Sequence, residues 1–334
     1  MSISVRPWWA RRGATLSVAL MVALSACSGE SGGPGAPRPA KANPESEVTG
    51  PRAFLYLVRP SGGTPRPLLR PDDAGRLQNV SDPVWSPSGR QIAFTAGCAT
   101  CAPRLYVVSG TGQNLREIST GGGMVSSPGW SPDGHAIVFA RQRDEDQFIY
   151  SVNLRTGRIR LINGEPTSAD NTDSTPAWSP SAQRVAFARE IHHEHVNLWA
   201  VAAMGGSRRR LTRPTQFDQI RPRWSPDSRR IVFMQVVPPN FTWNLHVLDI
   251  KTGRVRSLTT DPHNEFDPAW SPDGLSVVFA SDADRRAGFR SLYVIGTDGS
   301  GLHRLTASSA DDSMPSWSPD GSEIVFVRRP TTMA

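Results

Sequence analysis

The sequence predicts an all-β fold, in which one four-stranded antiparallel unit recurs along most of the 334 residues. The first observation behind this prediction is a motif, clearest at Trp270-Ser271-Pro272-Asp273-Gly274, that recurs every 45 to 48 residues. The second is that short runs of β-branched and aromatic residues follow each copy in the same order. The six copies begin at Trp85, Trp130, Trp178, Trp224, Trp270 and Trp317.

The copy that begins at Trp224 shows what one unit contains. Polar turns at residues 226–228 and 251–253 separate segments rich in Ile, Val, Leu and Phe, which favour strands. The four strands are predicted at residues 222–225, 230–235, 244–249 and 255–259. Four antiparallel strands in about 46 residues are typical of one blade of a β-propeller. The sequence therefore predicts a six-bladed β-propeller.

The two ends of the repeat region complement each other. Residues 54–58 and 67–69 supply a third and a fourth strand before the first tryptophan, with no first and second strand ahead of them. After Trp317 the chain supplies a first and a second strand, which end at Phe326. We predict that the N-terminal strands complete the C-terminal blade and close the ring, which leaves no free sheet edge.

The repeated motif has a structural interpretation. In Pro-Asp-Gly, proline presets φ, aspartate bonds to the backbone and glycine adopts positive φ, as a tight turn requires. Ser181-Ala182 and Ser228 depart from this pattern, so less ideal turns are expected after Trp178 and Trp224. We interpret the six tryptophans as apolar plugs between blades rather than as a ladder for ligand stacking.

The N-terminus predicts a processing signal. Arg6, Arg11 and Arg12 precede an apolar run at residues 15–24, which is too short to span a bilayer. The run ends in Leu24-Ser25-Ala26-Cys27, which resembles the lipobox of bacterial lipoproteins. The resemblance implies an acylated Cys27 and a protein held on the outer side of a membrane. An ordinary secretory signal is the alternative.

These features divide the chain into four parts. Residues 28–51 are rich in Gly, Pro and Ser and hold few large apolar side chains, so they are predicted to form a flexible tether. The predicted parts are a signal peptide at 1–26, the lipidated cysteine and tether at 27–51, the propeller at 52–330 and a tail at 331–334.

The charge balance argues against nucleic acid as a partner. The chain has 37 basic and 30 acidic residues, a formal net charge of +7. Removing the three N-terminal arginines leaves 34 basic residues and a charge of +4, spread along the chain. Because no basic stripe with interleaved aromatics is present, nucleic-acid binding is not expected. We expect a monomer.

The three cysteines are consistent with export. Without Cys27 the remaining pair is Cys98 and Cys101, which in an exported protein is expected to form a local disulfide or to lie unpaired in a loop. A zinc site would need further ligands, and none is close in sequence.

Pro-x-Trp-Ser-Pro-Asp-Gly followed by an Ile/Val-x-Phe strand resembles the WD40-like repeat of the TolB family. The resemblance covers about Phe54 to Val327, and the proline two residues before the tryptophan is present in all six copies. It implies a six-bladed propeller in an exported protein that serves as a platform for protein binding. TolB proteins place an α/β domain before the propeller, where this chain has the tether. Similar propellers cap prolyl oligopeptidases, but the Gly-x-Ser-x-Gly pattern occurs only at residues 29–33, in the predicted tether and not at a strand-to-helix elbow, so peptidase activity is not expected.

Acidic residues just before the tryptophans are the first candidate site. They belong to the innermost strands and are expected to line the central channel; they are Asp82, Asp173, Asp218, Glu265, Asp267, Asp311 and Asp312. Asp173, Glu265 and Asp312 all lie five residues before a tryptophan, so symmetry is expected to bring them to one level. A ring of carboxylates could hold Ca²⁺, and the alternative is a set of solvated side chains in a wet funnel.

The second candidate is His192-His193-Glu194-His195, in a predicted hairpin loop. Adjacent residues of an extended segment point in opposite directions, so we interpret it as a solvated loop rather than a metal site.

The leading hypothesis is a non-enzymatic, lipid-anchored module that binds a protein partner at the cell envelope. The alternative is a propeller enzyme, a lactone hydrolase or a polysaccharide lyase, with a divalent cation in the channel. A sensor or accessory subunit is a third hypothesis that the sequence does not separate from the first.

Overall fold

A computed structural model describes residues 53–69, 77–98, 101–144, 146–164, 171–191, 195–284, 289–307 and 310–330. The predicted signal peptide, Cys27, the tether, the histidine-rich residues 192–194 and the tail at 331–334 lie outside the described residues.

The regular structure of the described residues consists of β-strands, which confirms the predicted fold class. The strands are β1 (Phe54–Val58), β2 (Arg66–Pro67), β3 (Gln78–Trp85), β4 (Gln91–Gly97), β5 (Arg104–Ser109), β6 (Arg116–Ile118), β7 (Val125–Trp130), β8 (Ala136–Arg143), β9 (Asp146–Asn153), β10 (Ile159–Leu161), β11 (Asn171–Trp178), β12 (Arg184–Ile191), β13 (Asn197–Ala202), β14 (Arg209–Arg210), β15 (Gln219–Trp224), β16 (Arg230–Val237), β17 (Thr242–Asp249), β18 (Val255–Ser257), β19 (Glu265–Trp270), β20 (Ser276–Ser281), β21 (Ser291–Gly296), β22 (His303–Arg304), β23 (Asp311–Trp317) and β24 (Ile324–Arg329). Among these residues, no helix is long and apolar enough to cross a membrane.

The strands form six four-stranded antiparallel units, the blades, and a parallel bridge between Thr172 and Gln147 joins the second and third of them into one eight-stranded sheet. Blades one to five are β3–β6, β7–β10, β11–β14, β15–β18 and β19–β22. In blade six, β23 and β24 are followed by β1 and β2 from the other end of the chain. The pairing of β1 with β24 runs from Phe54 opposite Arg328 to Val58 opposite Ile324. It confirms that the N-terminal strands complete the C-terminal blade.

The hydrophobic core lies in layers between neighbouring blades. Leu55 and Leu57 of blade six pack with Trp85 and Ile92 of blade one, as a closed ring requires. Each second strand contributes one buried phenylalanine to these layers: Phe94, Phe139, Phe187, Phe233, Phe279 and Phe326. Burial of one such side chain contributes about 1.5–3 kcal/mol, so the layers stabilise the ring along its whole circumference.

The repeat tryptophans link blades as well as fill the space between them. Trp270 packs against residues of both blade four and blade five. The indole N–H groups of Trp130, Trp224 and Trp270 donate to backbone oxygens of the preceding blade at 3.0–3.1 Å. These contacts support a structural role for the tryptophans, while their other edge borders the channel described below.

The turns after the tryptophans have the predicted chemistry. In blade five, Ser271 Oγ donates to Asp273 Oδ1 at 2.5 Å, and Asp273 Oδ1 also accepts the backbone N–H of Leu275 at 2.9 Å. Gly274 has φ of 69°. At the corresponding position Ala182 and Ser228 adopt φ of 59°, a conformation that non-glycine residues rarely adopt. The structure therefore shows the less favourable turns expected after Trp178 and Trp224.

Candidate functional site

Every blade has the same irregularity in its innermost strand. The pairing of first and second strands shifts register just before the tryptophan. The residue three positions before the tryptophan has a positive φ of 51° to 58° in all six blades. We call this the channel position; its residues are Asp82, Ser127, Thr175, Arg221, Asp267 and Met314. A β-bulge of this kind re-aims a side chain out of the ordinary alternation of the strand.

Three charged residues at the channel position meet across the axis. The guanidinium of Arg221 forms an ion pair with Asp82, and its Nε lies 3.1 Å from Asp267 Oδ1. The second oxygen of Asp82 accepts the backbone N–H of Ser127 at 3.2 Å. All three charged side chains are at most 6% exposed. We call Asp82, Arg221 and Asp267 the channel triad.

Asp82 and Arg221 of the channel triad remain charged around neutral pH. Burial by itself raises the pKa of Asp82, but the charge of Arg221 and its hydrogen bond outweigh burial, so the pKa is lowered overall. Burial lowers the pKa of Arg221, and the charges of Asp82 and Asp267 raise it further than burial lowers it. Each charge is thus stabilised by its neighbours, as buried ions require.

A cavity of about 530 Å³ adjoins the channel triad. All six repeat tryptophans line it, together with the prolines two residues after each of them, which lie in the turns between first and second strands. Asp82, Arg221, Asp267 and Met314 also border it. The volume falls in the range of about 300–1,000 Å³ that is usual for ligand sites, and such sites are mostly apolar with a few polar groups.

One further charge lines this cavity. Arg223 directly precedes Trp224, where the other blades have Val84, Gly129, Ala177, Ala269 and Ser316. Its Nη1 donates to the Pro222 backbone oxygen at 3.2 Å. Among the described residues, Arg223 forms no salt bridge with a carboxylate. Burial, followed by repulsion from Arg221, lowers the pKa of Arg223 to about 10.

The predicted channel acids five residues before a tryptophan lie elsewhere. Asp173, Glu265 and Asp312 are at most 1% exposed and are not among the residues that line the cavity. We call this the inter-blade position; its residues are Val80, Val125, Asp173, Gln219, Glu265 and Asp312, all buried. The bulge explains the difference, because it interrupts the strand between the two positions and only the later one reaches the channel.

Each inter-blade acid has its own partner. Asp312 accepts two hydrogen bonds from Arg328, at 2.7 and 2.8 Å. Asp173 lies 3.3 Å from Nη1 of Arg189 and also accepts a hydrogen bond from Asn163. Glu265 accepts a hydrogen bond of 2.7 Å from Thr259 Oγ1. The shared level expected from symmetry therefore does not bring the three carboxylates into contact with one another.

Burial changes the protonation of two of these acids. It raises the pKa of Glu265 to about 9, a shift that the hydrogen bond from Thr259 only partly opposes. It also raises the pKa of Asp173 to about 6, against the charge of Arg189. Glu265 is therefore neutral at pH 7, unlike Asp82 in the channel triad.

Asp218 and Asp311 lie six residues before their tryptophans and connect blades. Asp218 Oδ1 accepts the backbone N–H of Val196 at 3.0 Å and lies 3.4 Å from Nδ1 of His195. Asp311 accepts hydrogen bonds from Nε and Nη2 of Arg290 at 2.8 and 2.6 Å. Neither residue lines the cavity. Of the predicted channel acids, the structure places Asp82 and Asp267 in the cavity wall.

The predicted acids are not gathered into one cluster among the described residues. Among the described residues, no three His, Cys, Asp or Glu side chains are grouped as a metal ion would need. Of the histidine-rich loop, His195 is described, and its side chain is 53% exposed. Cys98 and Cys101 are joined by a disulfide bond. The most distinctive groups, Arg221 and Arg223, were missed in the sequence, although two arginines flanking Pro222 in an innermost strand were a visible signal.

Comparison with known proteins supports the architecture. No protein-family model matches the chain. Segments of 69 and 65 residues are 38% and 31% identical to the uncharacterized peptidase YuxL of Bacillus subtilis (strain 168) and to the Tol-Pal system protein TolB of Alcanivorax borkumensis. These segments are 21% and 20% of this chain but only 10% and 15% of those relatives.

Solved structures match over a much larger share of the chain. A protein assigned as TolB from Agrobacterium tumefaciens superposes with a TM-score of 0.67 at 20% identity and covers 84% of this chain and 99% of its own. TolB from Acinetobacter baumannii superposes with a TM-score of 0.64 at 21% identity, and the match covers 80% of this chain and 66% of that protein. An oligogalacturonate lyase from Vibrio parahaemolyticus superposes with a TM-score of 0.53 at 12% identity, and the match covers 85% of this chain and 99% of that protein. At these identities the likeness concerns the fold alone, and that fold is a TolB-like β-propeller.

Proposed function

We propose that the chain is an exported β-propeller, anchored to a membrane through a lipid on Cys27, that binds a protein partner at the cell envelope. It acts as a monomer and is not an enzyme. The observation that carries the proposal is the cavity itself, a recess of about 530 Å³ walled by six tryptophans and their flanking prolines.

The chemistry of the cavity suits binding better than catalysis. Its aromatic and proline rings offer apolar area that gains free energy when water is displaced. The described residues that line it include no histidine or cysteine. The two carboxylates in its wall are committed to Arg221, so neither is placed as a free general base.

The relatives support the same proposal. One of the matching segments comes from a protein named for the Tol-Pal system, and two of the solved propellers with this fold are TolB proteins. We infer by this likeness that the propeller works outside the cytoplasm and contacts another protein.

A photo-crosslinking experiment tests the binding face. The photoreactive residue p-benzoylphenylalanine replaces Pro226, an exposed turn residue that lines the cavity, and in a separate protein replaces Val255 on an outer strand. Irradiation of intact cells is expected to give a discrete protein adduct from the first position and none from the second. Equal adducts from both positions, or none from the first, would overturn the proposal.

The lipid anchor is tested separately. Replacing Cys27 with serine is expected to abolish incorporation of labelled palmitate and to release the protein from the membrane fraction. An unchanged membrane fraction would contradict anchoring while leaving the binding proposal in place.

The alternative is a propeller enzyme, because oligogalacturonate lyases, one of them solved with manganese, share the fold. It predicts turnover of oligogalacturonates or lactones by the purified protein. It also predicts a stoichiometric divalent cation in the channel that is lost when an acid lining the cavity is replaced, as in Asp267→Ala. Turnover together with such a cation would replace the binding proposal.

A further inference from the structure

We propose that Arg223 makes the tryptophan-lined cavity a binding site for the C-terminal carboxylate of a polypeptide whose last side chain is apolar. The inference rests on the proposed function and adds the chemistry by which the partner is recognised.

The position of Arg223 is the first support. It occupies the place directly before the repeat tryptophan, and the five equivalent residues carry no charge. The side chain is half-buried in the cavity wall, between the channel triad and the tryptophans along the same strand. A sixfold repeat that otherwise holds small or uncharged residues there has no structural need for a guanidinium in one blade.

The second support is the number of donors that Arg223 leaves uncommitted. A guanidinium carries five N–H donors, and the contact of Arg223 within the described part of the chain is one bond to a backbone oxygen. The carboxylates of Asp82 and Asp267 both lie on Arg221. A partly desolvated guanidinium with free donors is the group that best binds a carboxylate, through two parallel hydrogen bonds.

The third support is the charge and shape of the surroundings. Two aspartates and two arginines border the cavity, so their formal charges cancel and no broad positive field is present. Such a setting favours one carboxylate over a polyanion. The tryptophan and proline rings then supply the walls for an apolar side chain next to that carboxylate, and the opening among the turns admits the end of a chain.

The experiment compares a carboxylate with its amide. Isothermal titration calorimetry measures binding of acetyl-Gly-Gly-Phe, with a free C-terminal carboxylate, and of acetyl-Gly-Gly-Phe-amide to the purified full-length chain. The acid is expected to bind about tenfold more tightly or better, since a charge-assisted bond is lost in the amide. Arg223→Gln is expected to remove this preference, and Arg223→Lys to keep part of it.

Arg229→Gln is the matched control, because it removes the same charge from an exposed turn residue outside the cavity. It is expected to leave the preference unchanged. Circular dichroism and thermal melting establish that each variant is folded. If Arg223→Gln does not fold, Arg223→Lys is used in its place, and a reduced preference for the acid over the amide is the expected result.

Several results would overturn the inference. Equal affinity for acid and amide, no binding of either, or a preference that survives Arg223→Gln would each do so. Binding of 3-phenylpropionate without binding of the peptide acid would assign the site to small organic acids instead of a polypeptide end. In every one of these cases a crosslinked partner at Pro226 would still support the proposed function, so the two failures are distinguishable.

Discussion

Two positions on the same innermost strands hold buried acids whose pKa values shift in opposite directions. At the channel position Asp82 and Asp267 share Arg221 and Asp82 has a lowered pKa. At the inter-blade position, two residues earlier, Glu265 has an alcohol as its hydrogen-bond donor and a pKa raised to about 9. Both sites are buried, so burial alone does not decide the charge of an acid in this fold. The partner across the interface does.

The difference also separates structure from function. The inter-blade acids are enclosed by neighbouring blades and have no access to a ligand. The channel position borders the cavity, so its charges determine what the cavity can bind. Variation at the inter-blade position therefore adjusts stability, whereas variation at the channel position also adjusts recognition.

Removal of Arg221 is expected to have the largest effect. Arg221→Met leaves Asp82 and Asp267 buried without their cation, and breaking a buried pair in this way costs about 3–5 kcal/mol. The free energy of unfolding, measured by urea denaturation with tryptophan fluorescence, should fall by that amount. The control Arg229→Met removes an exposed charge and should change it by less than about 0.5 kcal/mol.

A combined variant sharpens this test. With Asp82→Asn and Asp267→Asn added to Arg221→Met, none of the three triad positions carries an unpaired charge, and most of the lost stability should return. If Arg221→Met costs no more than Arg229→Met, the triad is not the buried ion cluster described here.

Glu265 and Asp82 should respond to pH in opposite directions. Because the folded pKa of Glu265 is about 9 and its ordinary value is 4.5, the folded protein keeps a proton that the unfolded chain releases between these pH values. Its contribution to stability is therefore full below about pH 4.5 and declines as pH rises toward 9. Glu265→Gln avoids that decline and should be more stable than wild type by about 1–3 kcal/mol at pH 7, with no gain at pH 4.

Asp82→Asn is the matched comparison. The folded pKa of Asp82 is lowered, so its contribution is present above the ordinary pKa near 3.8 and is lost as pH falls below it. This substitution should destabilise the protein at pH 7, and the loss should shrink in acid. Urea denaturation from below pH 3.8 up to pH 8 checks both variants. The same sign for both at pH 7 would show that the two positions do not differ as described.

Part of this arrangement was predictable from the sequence. The spacing of the tryptophans predicts the number of blades, and the half-units at the two ends of the repeat region predict the pairing of β1 with β24. Residue types at the turns also predict their conformation, as Gly274 shows. Each of these features depends on neighbours in sequence or on simple periodicity.

The channel triad was not predictable in this way. Asp82 and Arg221 are 139 residues apart and meet because two blades face each other across the axis. The positive φ at the channel position has no shared residue type, since Asp, Ser, Thr, Arg and Met all occupy it. Membership of the innermost strands alone placed Asp173 and Glu265 in the channel together with Asp82 and Asp267. The β-bulge decides which acid reaches the axis, and residue type does not predict where that bulge lies.

The smallest expected effect tests the bulge directly. Ser127 is at the channel position with φ of 51°, and the preceding Ser126 pairs with Ala140 in β8. Glycine adopts positive φ without the cost of about 1–2 kcal/mol that other residues bear, but it weakens an extended strand by about 0.5–1 kcal/mol. Ser127→Gly should therefore leave stability unchanged or raise it by up to about 1 kcal/mol, and Ser126→Gly should lower it.

Thermal melting of the two glycine variants measures this difference, and both substitutions delete the same hydroxymethyl group. The backbone N–H of residue 127 still donates to Asp82 in Ser127→Gly, so the channel triad keeps its bonds. Ser126→Gly also loses the contact of Ser126 Oγ with Gln147 Nε2 at 3.3 Å, which adds to its cost. Equal losses would mean that the channel position carries no backbone strain. The orientation of its side chains would then depend on the triad's charges rather than on the bulge.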